Sequence, residues 1–207
     1  MKEKALSVFM IFSFTLVFSG CAGSRIYLLN LRYIPEKKAP SSLAPQSPKV
    51  VGICPFEDAR KEKEKNTIGY RHRRDKYVDL LKVHGVSLSE SVTRAVKDYF
   101  VERGFDVTDC RGWDKSPEGL TRLPKDLFLV VGGKIESFMV ESRSGLTTTE
   151  TQYRVKMIAL IGQIEKGQVV TKTIESAPQT KKIRFDPDEV KASLNHTLTE
   201  VIQRLFK

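Results

Sequence analysis

Cysteine, histidine and tryptophan are all scarce in this 207-residue chain, which holds three, three and one of them. Three cysteines cannot staple a small disulfide scaffold, and none shares a metal-ligand spacing with a histidine. His72, His84 and His196 stand apart from one another and from any nucleophile motif. Phosphate-loop glycines are missing as well. Gly132-Gly133-Lys134 runs into Ile135 where a serine or threonine is required, and the upstream glycine is absent. Glu136 and Glu141 lie along one strand pattern, and acid–base work needs carboxylates that converge. The expectation is a protein with no catalytic residues, no metal and no cofactor. Long apolar runs are lacking too: Ala5–Phe18 spans about 14 residues, short of the ~20 that cross a bilayer as a helix.

What is present begins with that run. Lys2 and Lys4 precede it, and the small residues Ser19 and Gly20 follow it, directly before Cys21. Charge, a short apolar core and small residues at a cut site are the parts of a secretory signal. Phe18-Ser19-Gly20-Cys21 resembles the lipobox of bacterial lipoproteins. That resemblance implies cleavage before Cys21, diacylglycerol on its sulfur and an acylated amine, enough chains to hold a protein on a membrane. Ala22, rather than aspartate, after the cysteine implies the outer membrane of a Gram-negative-type envelope, on its periplasmic side. The expected organisation is a signal peptide over 1–20, a lipidated amino terminus and extended linker over 21–48, and a single periplasmic domain over 49–207. Pro35, Pro40, Pro45 and Pro48 punctuate the linker. Ile26–Ile34, β-branched and aromatic, is either a strand or a sticky part of the tether.

The chain is 40% hydrophobic and 29% charged, with a formal net charge of +10. Basic charge ordinarily raises nucleic acid as a partner. An extracytoplasmic address removes it and leaves the membrane itself, an envelope protein or an anionic envelope polymer.

Val50–Phe56 reads as the first strand of the domain, and the charged run Lys61–Lys65 as a solvated loop. Residues 66–84 fit either a strand or a helical turn. Ser87 and Glu90 form a capping box ahead of the stripe Leu88, Val92, Ala95, Val96, Tyr99 and Phe100, with Gly104 at the stop. Phe105–Cys110 alternates as a strand, and 111–125 reads as a loop. Leu127–Val140 is a long strand whose apolar face switches between Ile135 and Phe138. That switch places a bulge near Gly132-Gly133 or Ser137. Thr151–Ile161 and Val169–Glu175 form a hairpin across Glu165–Gln168. Asp186, Pro187 and Glu189 open a last helix with the stripe Val190, Leu194, Leu198, Val201, Ile202 and Leu205. The expected fold is α+β: β-α-β followed by an antiparallel meander and a C-terminal helix, with two helices packed on one sheet face.

Arg71, Arg73, Arg74 and Lys76 are the candidate contact for an anionic partner, with a plain solvated loop as the alternative. Asp58 and Arg60 are candidates for a structural turn lock or for part of a recognition surface. Cys54 and Cys110 are candidates for one disulfide if their strands are neighbours, a buried free thiol at Cys54 being the alternative.

Several stretches together resemble the YajG-like family of uncharacterised bacterial lipoproteins. They are VVGICPFEDAR (Val50–Arg60), IGYR (Ile68–Arg71), VERGFDV (Val101–Val107), DLFLVVGGKIESFMVES, YRVKMIALI and GQVVTK. The resemblance implies a lipid-anchored envelope protein and supplies no catalytic residues. The functional expectation is a non-enzymatic accessory or binding module at the periplasmic face of the outer membrane. Its alternative is an auxiliary lipoprotein that handles lipid or lipopolysaccharide, which needs an apolar groove between helix and sheet.

Overall fold

A computed structural model describes residues 23–35 and 49–207. The expected signal peptide, Cys21 and residues 36–48 lie outside the described residues. The fold is α+β, built on one nine-stranded mixed sheet.

Its spine is a long hairpin. β6 (Leu127–Ser144) and β7 (Thr149–Gln163) pair antiparallel from Leu129 opposite Gln163 to Ser144 opposite Thr149. The register slips between Ile135 and Ser137, so the bulge falls at the later of the two expected positions. It also corrects the expected change of face. The extra residue absorbs the phase shift, and Val131, Ile135, Phe138 and Val140 all enter the same core.

The other side of β6 is divided between two strands. β2 (Val50–Asp58) runs parallel to its first half, and β3 (Thr67–His72) runs parallel to its second half. The sheet therefore forks. β5 (Asp106–Asp109) extends the β2 branch. β4 (Val78–Val83) and β1 (Ile26–Leu29) extend the β3 branch. Beyond β7, β8 (Gln168–Ser176) and β9 (Gln179–Lys182) share its outer edge.

Two helices cover one face. α1 (Leu88–Glu102) starts where the Ser87 side chain accepts from the Glu90 amide, and the chain leaves it through Gly104 at φ 80°. α2 (Pro117–Leu120) is a single turn on the opposite face. α3 (Pro187–Phe206) is capped by Asp186, which accepts from the Asp188 amide. The expected apolar stripes of α1 and α3 are buried and join β-strand residues in one core. Pro55 interrupts the β2 ladder by removing a donor. The next amide, of Phe56, donates instead to the Thr93 hydroxyl of α1 at 2.9 Å.

Two expectations change. Residues 111–125 are more than a loop, because Trp113 and Leu120 join Cys54, Cys110 and Val130 in a second core beneath the sheet. The expected tether is also corrected over residues 26–34, where the strand alternative holds. Residues 26–29 are strand β1, parallel to β4, and Leu29, Leu31 and Tyr33 are buried in the main core. The segment is strapped to α3. The Arg32 amide donates to Asn195 Oδ1 at 3.1 Å, Asn195 Nδ2 donates to the Asn30 carbonyl at 3.2 Å, and the Ile34 amide donates to Thr199 Oγ1 at 2.9 Å. Alternating apolar residues bury one side of the segment, and these bonds satisfy the backbone on the other.

Candidate functional site

The basic cluster sits on the β3–β4 hairpin that the sequence left open. The Arg73 amide donates to the Tyr77 carbonyl at 2.9 Å, and the Lys76 amide donates to the Arg73 carbonyl at 3.3 Å. Lys76 takes the left-handed position, φ 66°, that closes such a turn.

The four candidate cations separate into two pairs with different roles. Arg71 and Arg73 turn onto Asp79, which is wholly buried. Arg71 Nη1 lies 3.3 Å from Asp79 Oδ2, Arg73 Nη1 lies 3.7 Å from Oδ1, and the Arg25 amide donates to Oδ1 at 2.9 Å. The Arg71 guanidinium also lies 4.2 Å from the centre of the Phe185 ring and donates to the Tyr27 hydroxyl at 3.3 Å. Arg73 pairs again with Asp75 and donates to the Gly23 carbonyl at 3.3 Å. Arg74 and Lys76 are exposed and have no ion-pair partner among the described residues. The cluster is thus half structural clamp and half free charge.

Asp79, Tyr27, Phe185 and Gly23 escaped the sequence reading. Asp79 left a signal: it stands in the inward phase of β4 with Leu81 and Val83. A carboxylate in that phase requires a cation, and the arginine-rich turn a few residues before supplies two.

Asp58 and Arg60 form the structural lock. Arg60 is 5% exposed. Its Nε and Nη2 each donate to an Asp58 carboxylate oxygen at 2.9 Å. Its Nη1 donates to the carbonyls of Thr67 at 3.0 Å and Phe138 at 3.1 Å, and its Nη2 also reaches the Lys65 carbonyl. Those carbonyls lie at the fork, where β2 has left β6 and β3 has yet to join it. Burial alone pushes the Asp58 carboxyl up, but the bonded Arg60 guanidinium more than offsets it and holds the group below its ordinary value.

Cys54 and Cys110 are brought together. Ile53 lies opposite Asp109, and the Cys110 amide donates to the Ile53 carbonyl at 3.0 Å. Both are free, buried thiols. Burial pushes the Cys54 thiol far up, its bond with Cys110 pushes it further, and Lys115 opposes this slightly. A thiol held protonated is a poor nucleophile.

Other candidates do not converge. Glu136 pairs with Lys156 at 2.8 Å, and Glu141 pairs with Arg143 at 2.7 Å and His72 at 3.5 Å, all on the open face of the sheet. His196 is exposed on α3. Among the described residues no three His, Cys, Asp or Glu side chains group as a metal site, and no helix is long and apolar enough to cross a membrane. A cleft of about 160 Å³ lies at the start of α3, with a mixed lining of Thr149, Thr151, Tyr153, Lys182, Phe185 and Glu189. A wider hollow of about 460 Å³ on the open face is lined by Arg60, Glu136, Met139 and Lys156. In the middle of the helix–sheet layer the space is closed to solvent, with Val96, Val131, Val155, Leu198 and Val201 at 0% exposure, and the cleft at the start of α3 opens between that helix and β7 and β9.

No family model matches the chain, and no curated protein matches it in sequence. Among solved structures it is similar to protein XCC0632 from Xanthomonas campestris, of family DUF330. The TM-score is 0.56 at 13% identity, covering 88% of this chain and 92% of that one. It is also similar to an uncharacterised protein with a TM-score of 0.51 at 10% identity, covering 88% and 95%. At these identities the likeness is one of fold.

Proposed function

We propose that this protein is a lipid-anchored envelope protein that works by placement rather than catalysis, as an accessory or binding module on the periplasmic face of the outer membrane. The carrying observation is the tie between Gly23 and the fold. Gly23 follows Cys21 by two residues, its carbonyl accepts from Arg73, and the strand after it is part of the sheet. An acylated Cys21 would therefore hold the domain directly against the membrane. A free arm of about 27 residues would reach roughly 90 Å at about 3.3 Å per residue, whereas with β1 in the sheet the chain from Cys21 to Gly23 can span at most about 7 Å.

The closed middle of the helix–sheet layer, with only a cleft of about 160 Å³ of mixed lining at one end, favours this reading over lipid or lipopolysaccharide handling, which needs an apolar groove. The test is mass spectrometry of the mature amino terminus with fractionation of a Cys21→Ser variant. The expected result is an acylated Cys21 and loss of the variant from the membrane fraction. An unmodified terminus elsewhere, or a variant that fractionates like the parent, would overturn the proposal.

A further inference from the structure

We infer that the β3–β4 turn is a membrane-contact surface, with Arg74, Lys76 and Tyr77 seated on the head groups of anionic phospholipids. The inference deepens the proposed function and rests on its reading of Cys21 for the orientation of the domain.

Position comes first. The Gly23 carbonyl lies 3.3 Å from Arg73 Nη1. A chain of two residues spans at most about 7 Å, so an acylated Cys21 brings the bilayer surface to the edge of this turn. No other hairpin is shown bonded to the chain that leads from the anchor.

Charge comes second. The segment and the hairpin joined by the Gly23–Arg73 bond carry Arg25, Arg71, Arg73, Arg74 and Lys76 against Asp75 and Asp79. The two carboxylates are taken up by Arg71 and Arg73, and Arg25, Arg74 and Lys76 are exposed with no ion-pair partner among the described residues. Juxtamembrane cations of this kind draw anionic lipid.

Shape comes third. Tyr77 is 42% exposed beside the Arg73 guanidinium, and Ile26 on the neighbouring edge strand is 59% exposed. A tyrosine flanked by cations suits the interface, where the ring meets the acyl boundary and the charges stay with the phosphates.

The experiment uses the full mature chain with Tyr77→Trp, read against the parent so that buried Trp113 is subtracted. Vesicles of phosphatidylcholine with brominated acyl chains are prepared with and without phosphatidylglycerol. The expected result is strong quenching of the introduced indole in the anionic vesicles and weak quenching in the neutral ones. Arg74→Glu with Lys76→Glu should abolish it. Lys76→Gly, which keeps the turn, should lower the docked-to-free ratio about five-fold, the worth of one cation near a charged surface. Equal quenching in neutral and anionic vesicles, or no quenching in a chain shown by mass to be acylated, would overturn the inference and leave the anchor standing. Quenching by anionic vesicles of a chain that mass spectrometry shows to be unacylated would support the contact and remove the anchor.

Discussion

Arg60→Ala should be among the most destabilising single changes in this protein, and the structure says why. Asp58 and Arg60 side chains are 10% and 3% exposed, so water cannot replace their mutual bonds. Removing the guanidinium leaves a nearly buried carboxylate with only Lys65 Nζ, 3.9 Å away, as its cation, and deprives the Thr67 and Phe138 carbonyls of their donor at the fork. Breaking a buried pair from one side costs about 3–5 kcal/mol, which for a domain of this size lowers the melting temperature by roughly 10 °C. Urea and thermal unfolding followed by Trp113 fluorescence measure it. Asp58→Asn with Arg60→Met separates the two contributions. The ion pair is then gone from both sides, yet the carbonyls remain unpaired, so the double variant should stay well below the parent. The pH dependence has a definite sign. Asp58 is depressed in the folded state, so its contribution is full above the unfolded carboxyl range near ~4 and is lost as pH falls through the lower folded value. Asp58→Asn should flatten that acid limb. A loss under ~1 kcal/mol for Arg60→Ala, or full stability in the double variant, would refute the reasoning.

Three further outcomes are expected. Gly69→Ala puts a methyl group 2.1 Å from the Val140 carbonyl oxygen across the β3–β6 pairing, so the strands must separate; the expected cost is about 3 kcal/mol in urea unfolding. Asn195→Ala removes both bonds that hold Asn30 and Arg32 to α3. It should cost about 1–3 kcal/mol and speed amide exchange through residues 26–33, with α1 unchanged. After folding under reducing conditions, Cys54 and Cys110 should resist iodoacetamide at neutral pH and both react once the chain is unfolded. Rapid native alkylation of Cys54 would contradict its buried, protonated state.

The two long helices were legible because their signals are local. Ser87 with Glu90, and Asp186 with Pro187, announce the starts, and the stripes repeat every three to four residues. The β7–β8 hairpin was legible from its alternation and from the turn at Glu165–Gln168. The β3–β4 hairpin was not, because its left-handed turn position holds Lys76 instead of the glycine or asparagine that marks such a turn. β1 was obscured by the prolines after it, although Leu29, Leu31 and Tyr33 already alternated. The second core was hidden because Trp113 and Leu120 sit among Gly, Pro and Asp, whose composition says loop while their few apolar neighbours say burial. At the candidate site the cations were visible as a run along the chain. Their division was not, since it depends on Asp79 and Gly23 meeting the turn in space.

The docking of β1 changes what a lipid anchor would accomplish here. With a free arm of about 27 residues, a domain samples a thick layer of periplasm and meets partners far from its membrane. Pro35 and Lys49 are both described parts of the same domain, so the segment between them joins two parts of the fold and gives no distance from Cys21. The pairing of β1 with β4 and the bond from Arg73 to Gly23 close the route by which β1 could become tether, and the bonds to Asn195 and Thr199 hold the residues after it. A partner must then come to the membrane, or already be there. Only faces that look along or away from the bilayer remain open to it, among them the charge-laced open face of the sheet with Glu136, Lys156 and Arg154. If Cys21 is acylated, shortening residues 36–48 should accordingly leave the height of the domain above the membrane unchanged, because β1 stays paired with β4 and Gly23 stays bonded to Arg73.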